Sequence, residues 1–101
     1  MPDESDRIPK AYALCQNFPN PFNPTTTIHF DIKKKGQVSL RIYNVAGQLV
    51  RTLVDGELDA GSYAEEWTGL NNDGTKVASG VYFYRLEAGT FESVKKMVLL
   101  R

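Results

Sequence analysis

One cysteine and one histidine occur in this chain, Cys15 and His29, and any nucleophilic or soft-metal chemistry would have to begin with them. A catalytic thiol needs a basic, partly exposed setting and an imidazole to take its proton. His29 lies in the alternating run Thr25–Ile32, which turns it outward as a solvated strand residue. Cys15 is therefore read as a small buried or half-buried hydrophobe. Two loops carry clustered oxygens, Asp55-Gly56-Glu57 and Asn71-Asn72-Asp73-Gly74. Either would bind Ca²⁺ weakly at best, since neither has the ligand periodicity of a known calcium loop. No glycine-rich phosphate loop and no paired metal-ligand spacing occurs. Catalysis requires convergent acid, base or nucleophilic groups, so the chain is read as non-catalytic, with no cofactor or metal. The serious rival is a carbohydrate-binding module. Tyr63, Trp67, Tyr82 and Tyr84 would make a stacking platform if they faced water, but their strand positions predict burial.

Charge removes other classes of partner. Twelve basic residues balance twelve acidic ones, leaving no field of one sign to steer nucleic acid or an anionic membrane. No stretch approaches the roughly 20 apolar residues that a helix needs to cross a bilayer. The start, Met1-Pro2-Asp3-Glu4-Ser5-Asp6-Arg7, is polar and lacks the apolar run of a signal peptide. If Met1 is the natural start, the chain carries no export leader; its composition favours a domain belonging to a larger protein. A length of 101 residues suits one domain. Residues 1–11 read as linker and 12–101 as the domain, which must hold without an internal disulfide because Cys15 is alone.

The elements that position these residues are strands. Gly80-Val81-Tyr82-Phe83-Tyr84-Arg85-Leu86 is rich in β-branched and aromatic residues, with turn residues on both sides. Tyr82, Tyr84 and Leu86 share one face, Val81, Phe83 and Arg85 the other, as expected of a central strand covered by a second sheet. Thr25–Ile32 turns Ile28, Phe30 and Ile32 inward, with Thr27, His29 and Asp31 out. Lys33-Lys34-Lys35-Gly36 then reads as a hairpin loop. Gln37–Val45 turns Val38, Leu40 and Ile42 in, and the phase break at Tyr43 and Val45 implies a bulge or bend. A strand over Gln48–Val54 is anchored by Leu49 and Leu53, followed by a loop over Asp55–Gly61 with Leu58 beneath it. Ser62–Thr68 aligns Tyr63, Glu65 and Trp67. Trp67 caps the core, while Glu65 either snorkels to an edge or marks a shifted register. Phe91–Leu100 is the last strand. It has apolar residues on both faces and, if exposed, would pair weakly edge to edge with a second copy. Turn signals recur about every ten residues with no sustained helical period, the pattern of an antiparallel sandwich of about seven strands.

Asn17-Phe18-Pro19-Asn20-Pro21-Phe22-Asn23-Pro24 is the exception to this alternation. Three prolines fix φ and remove three backbone donors. An extended, non-pairing crossover follows, with Phe18 and Phe22 as apolar pegs. It is either a rigid corner between sheets or a stiff surface loop recognised by another protein.

These residues also resemble a known family. Gln16–Ile28 looks like the opening motif of the type A C-terminal sorting domain of the bacterial type IX secretion system. The likeness continues through Val38–Val50, Leu58–Gly61, Trp67, Asn72–Gly74 and Val77–Leu86, and closes with Lys95-Lys96-Met97-Val98-Leu99-Leu100-Arg101. The stretches around Gly47 and Gly80 are also similar to the immunoglobulin-like domain of the flagellar hook-capping protein. Glu65 departs from the family, where that position is usually apolar. The resemblance implies an immunoglobulin-like sandwich that serves as an export address at the end of a larger secreted cargo. The outer-membrane translocon would recognise the folded domain and a sortase-like cysteine protease would remove it, leaving the cargo secreted or on the cell surface after passage through the periplasm. It places recognition on Asn20, Pro21, Phe22, Asn23 and Pro24, with Lys95, Lys96 and Arg101. A structural immunoglobulin-like accessory module of a secreted enzyme is the remaining alternative.

Overall fold

A computed structural model describes residues 8–101. Most of the expected linker lies outside these residues. Seven strands form: β1 (Ala13–Leu14), β2 (Thr26–Ile32), β3 (Gly36–Tyr43), β4 (Leu49–Leu58), β5 (Gly61–Trp67), β6 (Gly80–Ala88) and β7 (Phe91–Leu99). They make two antiparallel sheets, ordered β1-β2-β5 and β4-β3-β6-β7. The strand rich in aromatics, β6, is central in the larger sheet, between β3 and β7.

Period-2 alternation places one row from each strand between the sheets. Ile28, Phe30 and Ile32 from β2 meet Val38, Leu40 and Ile42 from β3, with Tyr82, Tyr84 and Leu86 from β6 and Met97 and Leu99 from β7. Trp67 is 1% exposed. It packs edge-on against Tyr82 at 5.3 Å and tilted against Phe22 at 5.7 Å between ring centroids, and its indole N–H donates to Leu70 O at 2.8 Å. Burying the indole with its polar hydrogen satisfied adds to the core without an orphaned donor.

Several expectations change. Lys33–Lys35 does not close a hairpin: β2 and β3 belong to different sheets, so this stretch crosses between layers. Two strands with the same inward alternation face a core equally well as neighbours or from opposite sheets, so the pattern alone does not separate these cases. The fourth strand runs on to Leu58 instead of ending at Val54, because Asp55–Leu58 keep pairing with Gly36–Ser39. Within it Val50 is buried and Leu49 exposed. The ladder slips between Leu40 and Arg41 and again between Ile42 and Tyr43. These slips are the irregularity implied by the broken phase. Two of them shift the register by two residues and so preserve the facing, leaving Val50 on the same side as Val54, which stands opposite the inward Leu40, and Leu49 on the outer side. Glu65 stands opposite Ile28 in an unshifted ladder, half-buried on the edge strand, so it belongs to the inner row and reaches out at the rim.

Candidate recognition surface

The prolines do not prevent pairing, because the residues between them make the bonds. Phe18 exchanges both backbone bonds with Thr27 of β2, at 3.0 and 2.9 Å. Phe22 donates to Val98 O at 3.0 Å and accepts from Leu100 N at 2.9 Å. Asn20 Oδ1 accepts from Val98 N at 3.0 Å, and Gln16 Nε2 donates to Lys96 O at 2.8 Å. The segment between β1 and β2 thus spans the rim, bonded to the first sheet on one side and to β7 of the second on the other. The last strand, which would pair edge to edge with a second copy if exposed, has its edge from Lys96 to Leu100 occupied. The opposite edge of the same sheet is treated alike: Asn72 N donates to Val50 O at 3.0 Å, and Asn72 Oδ1 accepts from Thr52 N at 2.9 Å.

A buried polar network holds the proline-rich segment. Tyr84 Oη donates to Cys15 O at 2.7 Å and accepts from Asn17 N at 2.8 Å. Asn17 Nδ2 donates to Thr26 Oγ1 at 3.0 Å and to Pro19 O at 3.1 Å, while Thr26 Oγ1 donates to Pro19 O at 2.8 Å. Asn17 and Thr26 are 2% and 1% exposed, so these bonds form in a low dielectric where each is worth more than at the surface. Burial pushes the Tyr84 hydroxyl up to about 12, opposed in part by the bond from Asn17. Burial likewise raises Tyr82, with the positive Arg101 opposing it.

Among the residues named for recognition, Asn20, Pro21, Asn23 and Pro24 are exposed. Phe22 is the exception: at 2% exposure it fills the core beside Trp67 and offers a partner no surface. Its expected companion peg, Phe18, is 78% exposed and no peg at all. The reason is register. The Phe18–Thr27 bridge puts Phe18 on the outward row of β2, whereas Phe22 faces Leu99 on an inward row. Lys96 is exposed and Lys95 half-buried, mid-strand on β7. Arg101 lies some five or six residues further on, about 17–20 Å along an extended chain. Its guanidinium donates to the carbonyls of Gly69 and Val77, and its backbone N–H donates to Ser79 Oγ at 2.8 Å. It is a staple on the loop before β6, held through its Nε and one Nη while the residue remains exposed.

The other chemistry considered from sequence is placed as plainly. Cys15 is exposed, not buried. Its N–H donates to His29 O at 2.9 Å, and the Leu14–Phe30 pairing continues to set Cys15 opposite His29 on the outer face. Asn71 Oδ1 is used by the N–H groups of Asp73 and Thr75, and Asn72 Oδ1 by Thr52, so both amide oxygens of that loop are engaged in shaping it. On the outer face of the larger sheet, an open depression of about 400 Å³ is lined by Tyr43, Val45, Phe83, Arg85 and Val94. Arg85 is committed to Glu92 at 2.8 Å and lies 3.3 Å from Glu87, and that bond to Glu92 raises its pKa further. Of the four rings of the stacking platform, Trp67, Tyr82 and Tyr84 are buried and Tyr63 stacks on Phe30. The rings hold the sheets together instead of lining a cleft.

A three-on-four antiparallel sandwich with a buried tryptophan and a tyrosine tethering the rim defines an immunoglobulin-like domain. Residues 21–91 match the FlgD Ig-like domain, and the chain belongs to that family. No curated protein matches the sequence. Among solved structures, dimeric latent PorU from Porphyromonas gingivalis is similar over 84% of this chain and 9% of its own, at 22% identity and TM-score 0.67. PorZ of the same organism, an essential bacterial surface component of the type IX secretion system, is similar over 91% of this chain and 12% of its own, at 20% identity and TM-score 0.58. FlgD from P. aeruginosa is similar over 73% of this chain and 57% of its own, at 18% identity and TM-score 0.56. The chain therefore spans about a tenth of the length of PorU or PorZ. At these identities the likeness is one of fold.

Proposed function

We propose that this domain is a non-catalytic C-terminal sorting signal: it directs a larger cargo through the outer-membrane type IX translocon and is then removed by a sortase-like cysteine protease. Residues 1–11 are the linker in which cleavage occurs, and the cargo ends secreted or at the cell surface. The observation that carries this reading is the joining of the opening and closing motifs. Asn20 and Phe22, near one end of the chain, bond Val98 and Leu100 at the other. Two stretches with nothing in common in sequence position become one composite rim that only the folded domain presents. A partner reading Asn20, Pro21, Asn23, Pro24, Lys95 and Lys96 would thereby test for folding before export. The likeness to PorZ, itself a type IX component, supports the same assignment. The buried rings count against a carbohydrate-binding module.

The test fuses the full 101-residue chain behind a fluorescent reporter that carries a signal peptide. The reporter is expected outside a type IX-competent cell, freed of the domain, and in the periplasm of a translocon-deficient one. Equal distribution in the two cells refutes the assignment. Truncating Lys95–Arg101 is a poor probe, because it also removes Met97 and Leu99, both 0% exposed. Lys95→Gln with Lys96→Gln leaves the core intact and is expected to slow export while stability changes by no more than about 0.5 kcal/mol.

A further inference from the structure

Eleven aromatic side chains occur in this chain, and Phe18 alone is exposed. Its backbone is held on both sides: N–H and C=O bond Thr27, Asn17 before it is buried, and Pro19 after it has a fixed φ. A ring left in water on a backbone already ordered has little conformational entropy to lose when it binds. Aromatic residues so placed are typical interface anchors.

The surroundings indicate the partner. Because Phe18 pairs with Thr27, its ring projects from the outer face of the three-stranded sheet. The outward positions there are Ala13 and, just past it, Cys15 on the β1 side, Thr27, His29 and Asp31 on β2, and Ser62, Ala64 and Glu66 on β5. Thr27 stands opposite Glu66, so Phe18 and Glu66 are two strand spacings apart, about 10 Å. Around the one projecting ring the formal charges of this face are Asp31 and Glu66, with no lysine or arginine among these eight positions. Anionic headgroups are repelled by such a face. A two-fold dimer through it would set its acidic groups against their own copies.

Building on the sorting-signal reading above, we propose that Phe18 is the docking anchor of this domain. The partner is a protein of the secretion machinery that offers an apolar socket for the ring, with lysine or arginine at its rim to meet Glu66 and Asp31. Phe22, which the family resemblance places among the recognition residues, instead positions the loop from within the core.

The reporter fusion of the full chain tests this with Phe18→Ala, Phe18→Leu, Glu66→Lys and Val45→Ala. Val45 is 74% exposed and belongs to the other sheet, so its variant controls for loss of an exposed apolar group. Phe18→Ala is expected to lower translocon-dependent export by roughly tenfold, the loss usual for an interface anchor. Phe18→Leu restores most of it, Glu66→Lys lowers it, and Val45→Ala leaves it at the wild-type level. Purified Phe18→Ala is expected to melt with the wild type. Wild-type export from Phe18→Ala overturns the anchor while leaving the sorting function standing. If Phe18→Ala proves unfolded, Glu66→Lys decides: unchanged export overturns the proposal and reduced export supports it. Failure of the wild-type fusion to require the translocon overturns the sorting function and the docking anchor with it.

Discussion

Replacing Tyr84 by phenylalanine removes one oxygen atom and leaves the ring in place, which isolates the tether between β6 and the proline-rich segment. That oxygen makes two bonds, donating to Cys15 O and accepting from Asn17 N. Asn17 is 2% exposed, so its N–H has no water to turn to and is left unsatisfied at a cost of about 1–3 kcal/mol. Cys15 is exposed, so its carbonyl recovers part of its bond from solvent and adds only about 1 kcal/mol. The expected loss is about 2–4 kcal/mol, a large part of the stability of a domain this size. At about 4–8 °C per kcal/mol for a chain of this length, Tm falls by roughly 10–30 °C. Urea unfolding followed by Trp67 fluorescence measures it, with the midpoint lowered and the slope unchanged. Hydrogen exchange at the Asn17 amide, which should lose protection first, localises it. The same variant has a signature in alkali. With the hydroxyl pushed up to about 12 in the folded chain and near 10 when unfolded, the wild type keeps its full stability below about pH 10 and loses it as pH rises through the folded value. Tyr84→Phe has no such group to ionise, so its stability falls less steeply across that window. A loss under about 0.5 kcal/mol with the Asn17 amide still protected would show that the tether does not hold the rim.

Phe22→Ala empties a site 2% exposed against Trp67 and is expected to cost about 3–5 kcal/mol. Equilibrium unfolding measures the loss, and Trp67 emission should shift to the red as water reaches the indole. Gly69 has φ +74°, and a Cβ there would lie 2.6 Å from the Arg101 guanidinium. Gly69→Ala is therefore expected to cost about 1–3 kcal/mol from strain at a left-handed backbone, plus displacement of the staple. A double-mutant cycle with Arg101→Ala should give a coupling of at least about 0.5 kcal/mol; strict additivity would mean that the two do not touch in solution.

The strands and their inner faces were legible because burial against a second sheet demands alternation, and Ile28, Phe30, Val38, Leu40, Tyr82 and Tyr84 carry it without interruption. Trp67 as a core residue followed from the same rule. The opening and closing motifs were equally visible as unusual stretches. Alternation, however, says which side of a strand is apolar and not which strand lies beside it. Lys33–Lys35 therefore read as a hairpin where the chain changes layer, and Val50 rather than Leu49 faces in because Val54, four residues on, stands opposite Leu40 of a partner strand the local sequence does not contain. The clearest division lies within four residues. Phe18 and Phe22 have the same side chain, the same proline-rich context and the same expected role, yet one is 78% exposed and the other 2%. What separates them is the neighbour each backbone bonds, Thr27 on an outward row and Leu99 on an inward one. That choice is a long-range pairing, made only when the two sheets close on each other.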